Sequence, residues 1–148
     1  MPSLLDLFPN LSATGYQVTS PPDLNYNCIA WAAGETHRPW WPGGFYWPPG
    51  VPCQETLAAF IEAFRTLGYV PCDEGNVEVG FEKIALFALS GVPKHAARQL
   101  PNGRWSSKLG VAVDIEHALE GVAGALYGTA TQFLKRPLGG GAAQPSSS

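Results

Sequence analysis

Residues 94–110 read KHAARQLPNGRWSSKLG, and this stretch decides the fold. At its centre stands Asn102-Gly103, a dipeptide that tolerates the positive φ angles of a tight β-turn. The stretch therefore predicts a β-hairpin over residues 94–109 that turns at this dipeptide. Just before it, KIALFAL (residues 83–89) is an apolar run with the length of a buried strand. Together the two stretches predict an antiparallel meander.

Two helices are predicted ahead of this meander. Residues Cys28 to Ala33 form a short helix, with Asn27 as the N-cap and Gly34 just past the end. Residues 54–67 (QETLAAFIEAFRTL) place four apolar side chains at helical spacing, and Gly68 stops the pattern. These four are Leu57, Phe60, Ile61 and Phe64.

The two ends of the chain complete the predicted architecture. Residues 1–25 are rich in Pro, Asn and Ser and are expected to be irregular. Residues 115–127 carry apolar side chains at helical spacing, with Asp114 as the expected N-cap. We therefore predict one α+β domain over residues 1–136, with N-terminal helices packed on a small antiparallel sheet and a helix at the C-terminal end. The low-complexity residues 137–148 are expected to be a disordered tail.

Composition narrows the range of functions. The chain has 148 residues, 45% of them hydrophobic, and a net charge of −3 without a basic block. Nucleic acids and membranes are therefore poor candidate partners, and no apolar run approaches the length of a membrane span. The N-terminal residues lack the features of a signal peptide, and the three cysteines are odd in number and widely spaced. Both features indicate a cytoplasmic protein, with export by a specialised system left open.

Cys28 is the first candidate for chemistry. A thiol in the first turn of a helix faces unpaired backbone N–H groups and the positive end of the helix dipole, both of which stabilise the thiolate. This position suits a nucleophile, although cysteine is also a common small core residue. Cys53 and Cys72 are assigned no role.

A nucleophilic cysteine needs a base, and the chain offers three histidines. His37 precedes a proline-rich loop and is expected at the surface, whereas His117 falls in the first turn of the predicted last helix. His95 lies on a predicted strand that can hold its ring against a helix start. The alternative is a purely structural strand histidine. A metal site built from Cys28 and the three histidines is disfavoured because no pair has ligand spacing, and no cofactor is expected.

A helix-opening cysteine followed by a histidine on an antiparallel hairpin resembles the papain-like superfamily, most of all its compact NlpC/P60-type branch. Those domains carry a tyrosine about twelve residues before the cysteine, and Tyr16 stands there; a polar third residue follows the histidine by about twelve, where this chain has Ser107. The pattern His-x-x-Arg-Gln followed by Gly-x-Trp-x-x-Lys is also similar to small bacterial papain-like proteins of unknown function. The resemblance covers roughly residues 15–117.

The resemblance implies roles for these residues. Cys28 is the nucleophile, His95 the base and Ser107 the group that orients the imidazole, while Tyr16 helps the backbone N–H of Cys28 to form an oxyanion hole. The sequence departs from the family because the usual Gly-Gly between the tyrosine and the cysteine is absent. Serine also stands where a His, Asn or Gln is expected. Gln99 and Asp114 are therefore alternatives for the third position.

The implied activity is acyl transfer by a thiol hydrolase or acyltransferase, acting on an amide or ester bond of a peptide, a protein or a peptidoglycan-like substrate. An exported effector toxin is one form that such an enzyme takes. Aromatic residues of the loop after the first helix are expected to wall the cleft or simply to cover the core, and they include Trp40, Trp41 and Trp47. The alternative function is an inactive papain-like fold that serves as a binding module.

Overall fold

The structure, a computed structural model, describes residues 4–44, 46–109 and 113–138. Within these ranges the helices are α1 (Leu4–Leu7), α2 (Leu11–Thr14), α3 (Cys28–Ala33), α4 (Leu57–Arg65) and a 3-10 helix (Leu119–Val122). The strands are β1 (Tyr16–Ser20), β2 (Val70–Cys72), β3 (Phe81–Leu89), β4 (Val92–Gln99), β5 (Trp105–Lys108), β6 (Asp114–His117) and β7 (Thr129–Pro137). None of the helices described is both long and apolar enough to cross a membrane.

All seven strands form one sheet in the order β1-β6-β5-β4-β3-β7-β2. Every neighbouring pair is antiparallel, so the α+β class is confirmed and the sheet is larger than the sequence predicted. The predicted hairpin is present as β4 and β5. Its loop closes with a hydrogen bond from the Leu100 N–H to the Arg104 carbonyl, and Gly103 takes the positive φ of 87° that the dipeptide predicted.

The predicted C-terminal helix is wrong. Residues 114–117 form strand β6, the 3-10 helix follows, and residues 129–137 form β7 in the middle of the sheet. Asp114 is consequently a strand residue and not a helix cap. Of the apolar residues at helical spacing, Ile115 reaches the core from β6 and Val122 from the 3-10 helix, whereas Leu126 is exposed. Of the predicted tail, Pro137 ends β7, and residues 139–148 lie outside the described part of the chain.

The N-terminal region is more ordered than its composition suggested. The short helices α1 and α2 precede β1, which pairs along the sheet edge with β6. The predictions for α3 and α4 are confirmed in type and place. Asn27 accepts a hydrogen bond from the Ala30 N–H and Thr56 accepts one from the Ala59 N–H, so each helix starts at a side-chain cap.

The sheet separates two layers of the core. Residues opposite each other on paired strands share a face, and neighbours along a strand alternate. The α3 face carries Ile84, Leu86 and Ala96, which pack beneath α3 and α4. The opposite face carries Ala85, Phe87 and Ala97, which pack beneath α2 and the 3-10 helix.

Candidate active site

Asn27 fixes the start of α3 and with it the position of Cys28. Its side-chain oxygen accepts hydrogen bonds from the backbone N–H groups of Ala30 and Trp40, and its amide nitrogen donates to the Trp40 carbonyl. One side chain therefore caps the helix and ties it to the aromatic loop. Cys28 is held at the first position of a helix whose start is anchored on two sides.

The Cys28 sulfur lies against β4. Burial, the largest influence, raises the pKa of the thiol to about 11, and backbone N–H groups of Ala96, Ile29 and Cys28 itself act in the other direction. The ladder between β4 and β5 is limited to Arg98↔Ser106 and Gln99↔Trp105. Because residues 95–97 lack a β5 partner, the sheet is open at the place where the sulfur meets Ala96.

His95 is completely buried next to that opening. It stands opposite Phe87 on β3, so its ring lies on the face opposite α3. Tyr127 stacks on the ring with centroids 4.0 Å apart and planes 3° from parallel. Burial, followed by the nearby His117, lowers the pKa of His95 well below its usual value, so the imidazole is neutral at pH 7.

The structure brings His95 and Ser107 together, as the resemblance implied. The Nε2 atom of His95 is 2.8 Å from Ser107 Oγ, which is in turn 2.7 Å from Nε2 of His117. The Nδ1 atom of His117 lies 2.6 Å from the Ala118 carbonyl oxygen. The result is a buried chain of four polar groups, which we call the His–Ser–His chain.

Hydrogen-bonding chemistry fixes the protons along the His–Ser–His chain. A carbonyl oxygen only accepts, so Nδ1 of His117 must carry a proton, and the pKa of this ring too is lowered by burial. In a neutral ring Nε2 is then bare and accepts the Ser107 O–H. The Ser107 oxygen is then free to accept a hydrogen bond from Nε2–H of His95. The Nδ1 atom of His95 is therefore left with a bare lone pair.

That bare nitrogen is buried and has no hydrogen-bond partner among the described residues. The Cys28 sulfur is hence not hydrogen-bonded to it, although the sulfur meets the backbone N–H of the very next residue, Ala96. A buried acceptor without a donor is uncommon and requires an explanation. The sulfur thus reaches β4 from the α3 side at Ala96, while the unpartnered Nδ1 belongs to the neighbouring residue, whose ring lies on the opposite face of the strand.

Asp114 belongs to a different cluster. It accepts a hydrogen bond of 3.0 Å from the Tyr26 hydroxyl and lies 4.0 Å from Nζ of Lys108. Burial raises the pKa of Asp114 and lowers that of Lys108. Since Asp114 is opposite Lys108 and next to Ile115, it is on the face away from His95. The structure therefore does not bring it to the imidazole.

Tyr16 and Gln99 are also placed away from the predicted roles. Tyr16 lies on the edge strand β1 opposite His117, and β6 and β5 separate it from β4. At about 4.8 Å per strand, its backbone is roughly 14 Å from that of β4, too far for an oxyanion hole at Cys28. Gln99 donates its side-chain N–H to the Gly75 carbonyl at 2.5 Å and makes no bond to His95.

The three tryptophans pack as core residues. Trp40 donates to Glu35, Trp47 donates to the Pro52 carbonyl, and the rings of Trp41 and Trp47 lie 5.4 and 5.1 Å from Phe60 of α4. The structure thus supports the core-covering alternative for this loop. Elsewhere, His37 is exposed, and no group of three metal-ligating side chains comes together in the described ranges.

His117 is the residue that sequence reasoning missed. Reading residues 115–127 as a helix put it in an unfavourable first turn, whereas it is a buried strand residue. Only a four-residue pattern indicated a strand here. Ile115 and His117 alternate with the polar Asp114 and Glu116, as in a half-buried strand. Four residues are too few to outweigh a longer helical pattern.

Comparison with known families gives one match. A family model described as a domain of unknown function, DUF7689, matches residues 17–135. The chain belongs to this family. The matched range spans every residue of the His–Ser–His chain as well as Cys28, so the site lies within the family domain. No curated protein and no solved structure matches the chain.

Proposed function

We propose that this DUF7689 domain is a papain-like cysteine enzyme that transfers acyl groups from amide or ester bonds, with Cys28 as nucleophile and His95 as base. The observation that carries the proposal is the bare, unpartnered Nδ1 of His95, which the His–Ser–His chain fixes in the basic tautomer one residue before Ala96, whose backbone N–H contacts the Cys28 sulfur. A purely structural histidine would not require a free lone pair in the core.

The proposed reaction begins with transfer of the Cys28 thiol proton to Nδ1 of His95. The thiolate attacks the carbonyl carbon of the substrate, and the C–N or C–O bond breaks as His95 returns its proton to the leaving group. The acyl group stays on sulfur as a thioester until water or another nucleophile takes it. The backbone N–H groups of Cys28 and Ile29 at the start of α3, which face the sulfur, would donate to the developing oxyanion.

Ser107 and His117 would act as positioning residues. Ser107 accepts a hydrogen bond from Nε2–H of His95 and donates its own O–H to Nε2 of His117, which links the two rings in one chain. The chain keeps Nδ1 basic without placing a carboxylate in the site. The imidazolium formed during the reaction is then stabilised by the dipole of a hydroxyl group. A full negative charge, as on an aspartate, would stabilise it more strongly.

The site is closed in this structure. Cys28 and His95 are both buried, and the partly exposed Tyr127 covers the imidazole from a loop closed by reciprocal hydrogen bonds between Gly124 and Gly128. A substrate reaches the thiol only after this cover or α3 moves. Substrate binding would therefore be coupled to opening, as in enzymes that exclude water until the substrate is in place.

The second candidate is a binding module without catalysis. It is favoured by the raised pKa of the Cys28 thiol, about 11, and by the lowered pKa of His95, since both make the resting pair neutral. In this alternative the His–Ser–His chain is a buried polar network that specifies the packing of β5 and β6.

Acylation by p-nitrophenyl acetate distinguishes the two functions. The parent protein should carry Cys53→Ala and Cys72→Ala, because Cys53 is exposed and Cys72 partly so, which leaves Cys28 as the single thiol. The enzyme proposal expects a burst of p-nitrophenolate and a thioester mapped to Cys28 by mass spectrometry. His95→Gln should slow the burst by about 10²-fold or more.

A matched variant distinguishes an inactive thiol from one that reagents cannot reach because the site is closed. Tyr127→Ala in the same background uncovers His95 while leaving the His–Ser–His chain intact. If neither background forms a thioester at Cys28, or if His95→Gln reacts as fast as its parent, the enzyme proposal fails and the binding module is favoured.

A further inference from the structure

A groove opens where β3 and β4 separate, away from Cys28 and His95. The β3–β4 ladder begins at Ile84↔Arg98, whereas residues 81–83 of β3 pair with β7 in the described sheet. The chain of β4 meanwhile turns away into the hairpin loop. The space between the two strands has a volume of about 600 Å³, which falls within the range of small-ligand pockets.

The walls of this groove are mainly apolar and include side chains that are well exposed. The apolar wall residues are Trp31, Val77, Val79, Phe81, Leu100 and Leu138. Val79 is 96% exposed, Leu138 59% and Val77 52%. Water-exposed valine and leucine side chains around a concave site are typical of a surface that binds a ligand or partner.

Within the described part of the chain, no carboxylate lies at salt-bridge distance from Arg98, the cation of the groove. The Arg98 guanidinium lies over the Trp31 ring at 4.6 Å and makes one long hydrogen bond of 3.5 Å to the Trp31 carbonyl. The cations in salt bridges among the described residues are Arg38, Arg65, Lys83, Arg104, Lys108, Lys135 and Arg136. Arg98 is absent from this set, so most of its five N–H donors remain available to a planar anion.

We propose that this groove binds the C-terminal end of a peptide, with the terminal carboxylate on Arg98 and an apolar side chain on the valine wall. Charge complementarity carries the choice of a carboxylate: the fork of a guanidinium matches its two oxygens. Stacking on Trp31 holds the guanidinium plane in place, which reduces the entropy lost when the ligand binds.

Polar groups of the groove favour a peptide over a fatty acid. Ser106 accepts a hydrogen bond from the Trp31 indole and keeps its own O–H to donate to a peptide carbonyl. The carboxylates of Glu78 and Glu82, which pair with Lys135 and Arg136, also line the groove, and their remaining lone pairs can accept peptide N–H groups. An alkyl chain would desolvate these three groups without replacing their hydrogen bonds. The proposal concerns binding and does not depend on catalysis by Cys28.

Isothermal titration calorimetry with N-acetyl-leucyl-leucine tests the proposal directly. We expect saturable binding at one site, and at least about tenfold weaker binding of the same dipeptide as its C-terminal amide. Arg98→Gln should lower affinity for the acid by a similar factor and abolish the preference for the acid. Arg104→Gln is the matched control because Arg104 pairs with Glu116 outside the groove, and it should bind like the parent.

A second pair of variants covers the case in which Arg98→Gln fails to fold. Val79 is almost fully exposed, so Val79→Asp and Val79→Asn should both fold. Val79→Asp should weaken binding of the acid by several-fold more than Val79→Asn, because only the aspartate repels the ligand carboxylate.

Five outcomes would overturn the proposal. These are equal affinity for acid and amide, parent-like binding by Arg98→Gln, and binding of decanoate but not of the dipeptide. The fourth is a concentration-dependent dimer that Val79→Asp dissociates, since it would assign the groove to a second copy of the chain. Absence of saturable dipeptide binding up to millimolar concentration contradicts the proposal as well.

Discussion

The two faces of the sheet are buried in different ways. Beneath α3 and α4 the sheet is covered by apolar and aromatic packing, with Phe60 of α4 between Trp41 and Trp47, and the buried Lys108–Asp114 pair lies apart from it on the same face. The opposite face buries the His–Ser–His chain among Phe87, Trp105 and Ile115. Hydrophobic packing is spread over many contacts, whereas a buried polar chain depends on each of its members. The α3 face therefore contributes mainly to stability, whereas the opposite face holds His95 and His117 in one pair of tautomers.

Phe60→Ala should have the largest effect on stability. The ring is completely buried against two tryptophans, and removing it leaves a cavity that costs about 3–5 kcal/mol. Urea denaturation monitored by circular dichroism measures the change in the free energy of unfolding. Val79→Ala, at a side chain that is 96% exposed, is the control and should stay near the parent. A loss below about 1 kcal/mol would show that α4 is not part of a tightly packed layer.

Ser107→Ala should have the next largest effect. It should lower both the free energy of unfolding and the rate of the thioester burst. The change leaves Nε2–H of His95 and Nε2 of His117 unpaired in the core, at about 1–3 kcal/mol for each group. The thioester burst should also slow, because His95 loses the group that holds its tautomer.

Ser106→Ala is the matched control on the other face. Ser106 is the neighbouring residue, and its hydroxyl accepts one hydrogen bond of 3.2 Å from the Trp31 indole. We expect a loss of about 1 kcal/mol or less and an unchanged burst. Equal effects of the two serine changes on the burst would contradict the proposed difference between the faces.

Acid should destabilise the fold through the two histidines of the chain. Burial lowers the pKa of both His95 and His117 below the usual 6.5, so the unfolded chain takes up protons that the folded one does not. Stability is therefore greatest above about pH 6.5 and falls as the pH drops below it, by up to about 1.4 kcal/mol per pH unit for each histidine.

Urea midpoints between about pH 7 and about pH 5.5 measure this slope while ordinary carboxylates remain ionised. His37→Gln is the control, since His37 is exposed and its removal should leave the slope unchanged. A flat stability profile over this range would mean that the rings of the chain are not held neutral.

Tyr127→Ala should have a specific effect on the access of reagents to Cys28, because its ring covers the imidazole of His95. With all three cysteines present, iodoacetamide should label Cys28 slowly in the wild-type chain, since the thiol is buried, and roughly tenfold faster in Tyr127→Ala because local opening becomes easier. The labelling rate of the exposed Cys53 is an internal control and should not change. An unchanged Cys28 rate would show that Tyr127 is not the cover of the site.

Local patterns predicted part of the fold well. The Asn27 cap, the apolar spacing of α4 and the Asn102-Gly103 turn act within a few residues, so the sequence contains their whole cause. The segment after residue 114 failed because its apolar spacing fits a helix while its glycines oppose one. A Cβ at Gly128 would stand 1.8 Å from the Ala88 carbonyl oxygen, so this glycine serves a close approach of two strands.

The candidate site, like the fold, could be predicted from the sequence only in part. Residue type and local structure predicted Cys28 and His95 as site residues, and the offset in the family that the chain resembles predicted Ser107. His117 could not be found, because its contact with Ser107 depends on the β5–β6 register, in which Ser107 faces Ile115 and Trp105 faces His117. That register places Ser107 diagonally from His117 on one face, a relation between strands that no local pattern encodes.

The tautomers of the two buried rings test the account most directly. Long-range ¹H–¹⁵N NMR spectra of the ¹⁵N-labelled protein at about pH 7 distinguish protonated from bare imidazole nitrogens. The His–Ser–His chain predicts opposite tautomers: His95 protonated at Nε2 and bare at Nδ1, and His117 protonated at Nδ1 and bare at Nε2. A proton on Nδ1 of His95 would contradict the account, because that nitrogen could then accept nothing from Cys28.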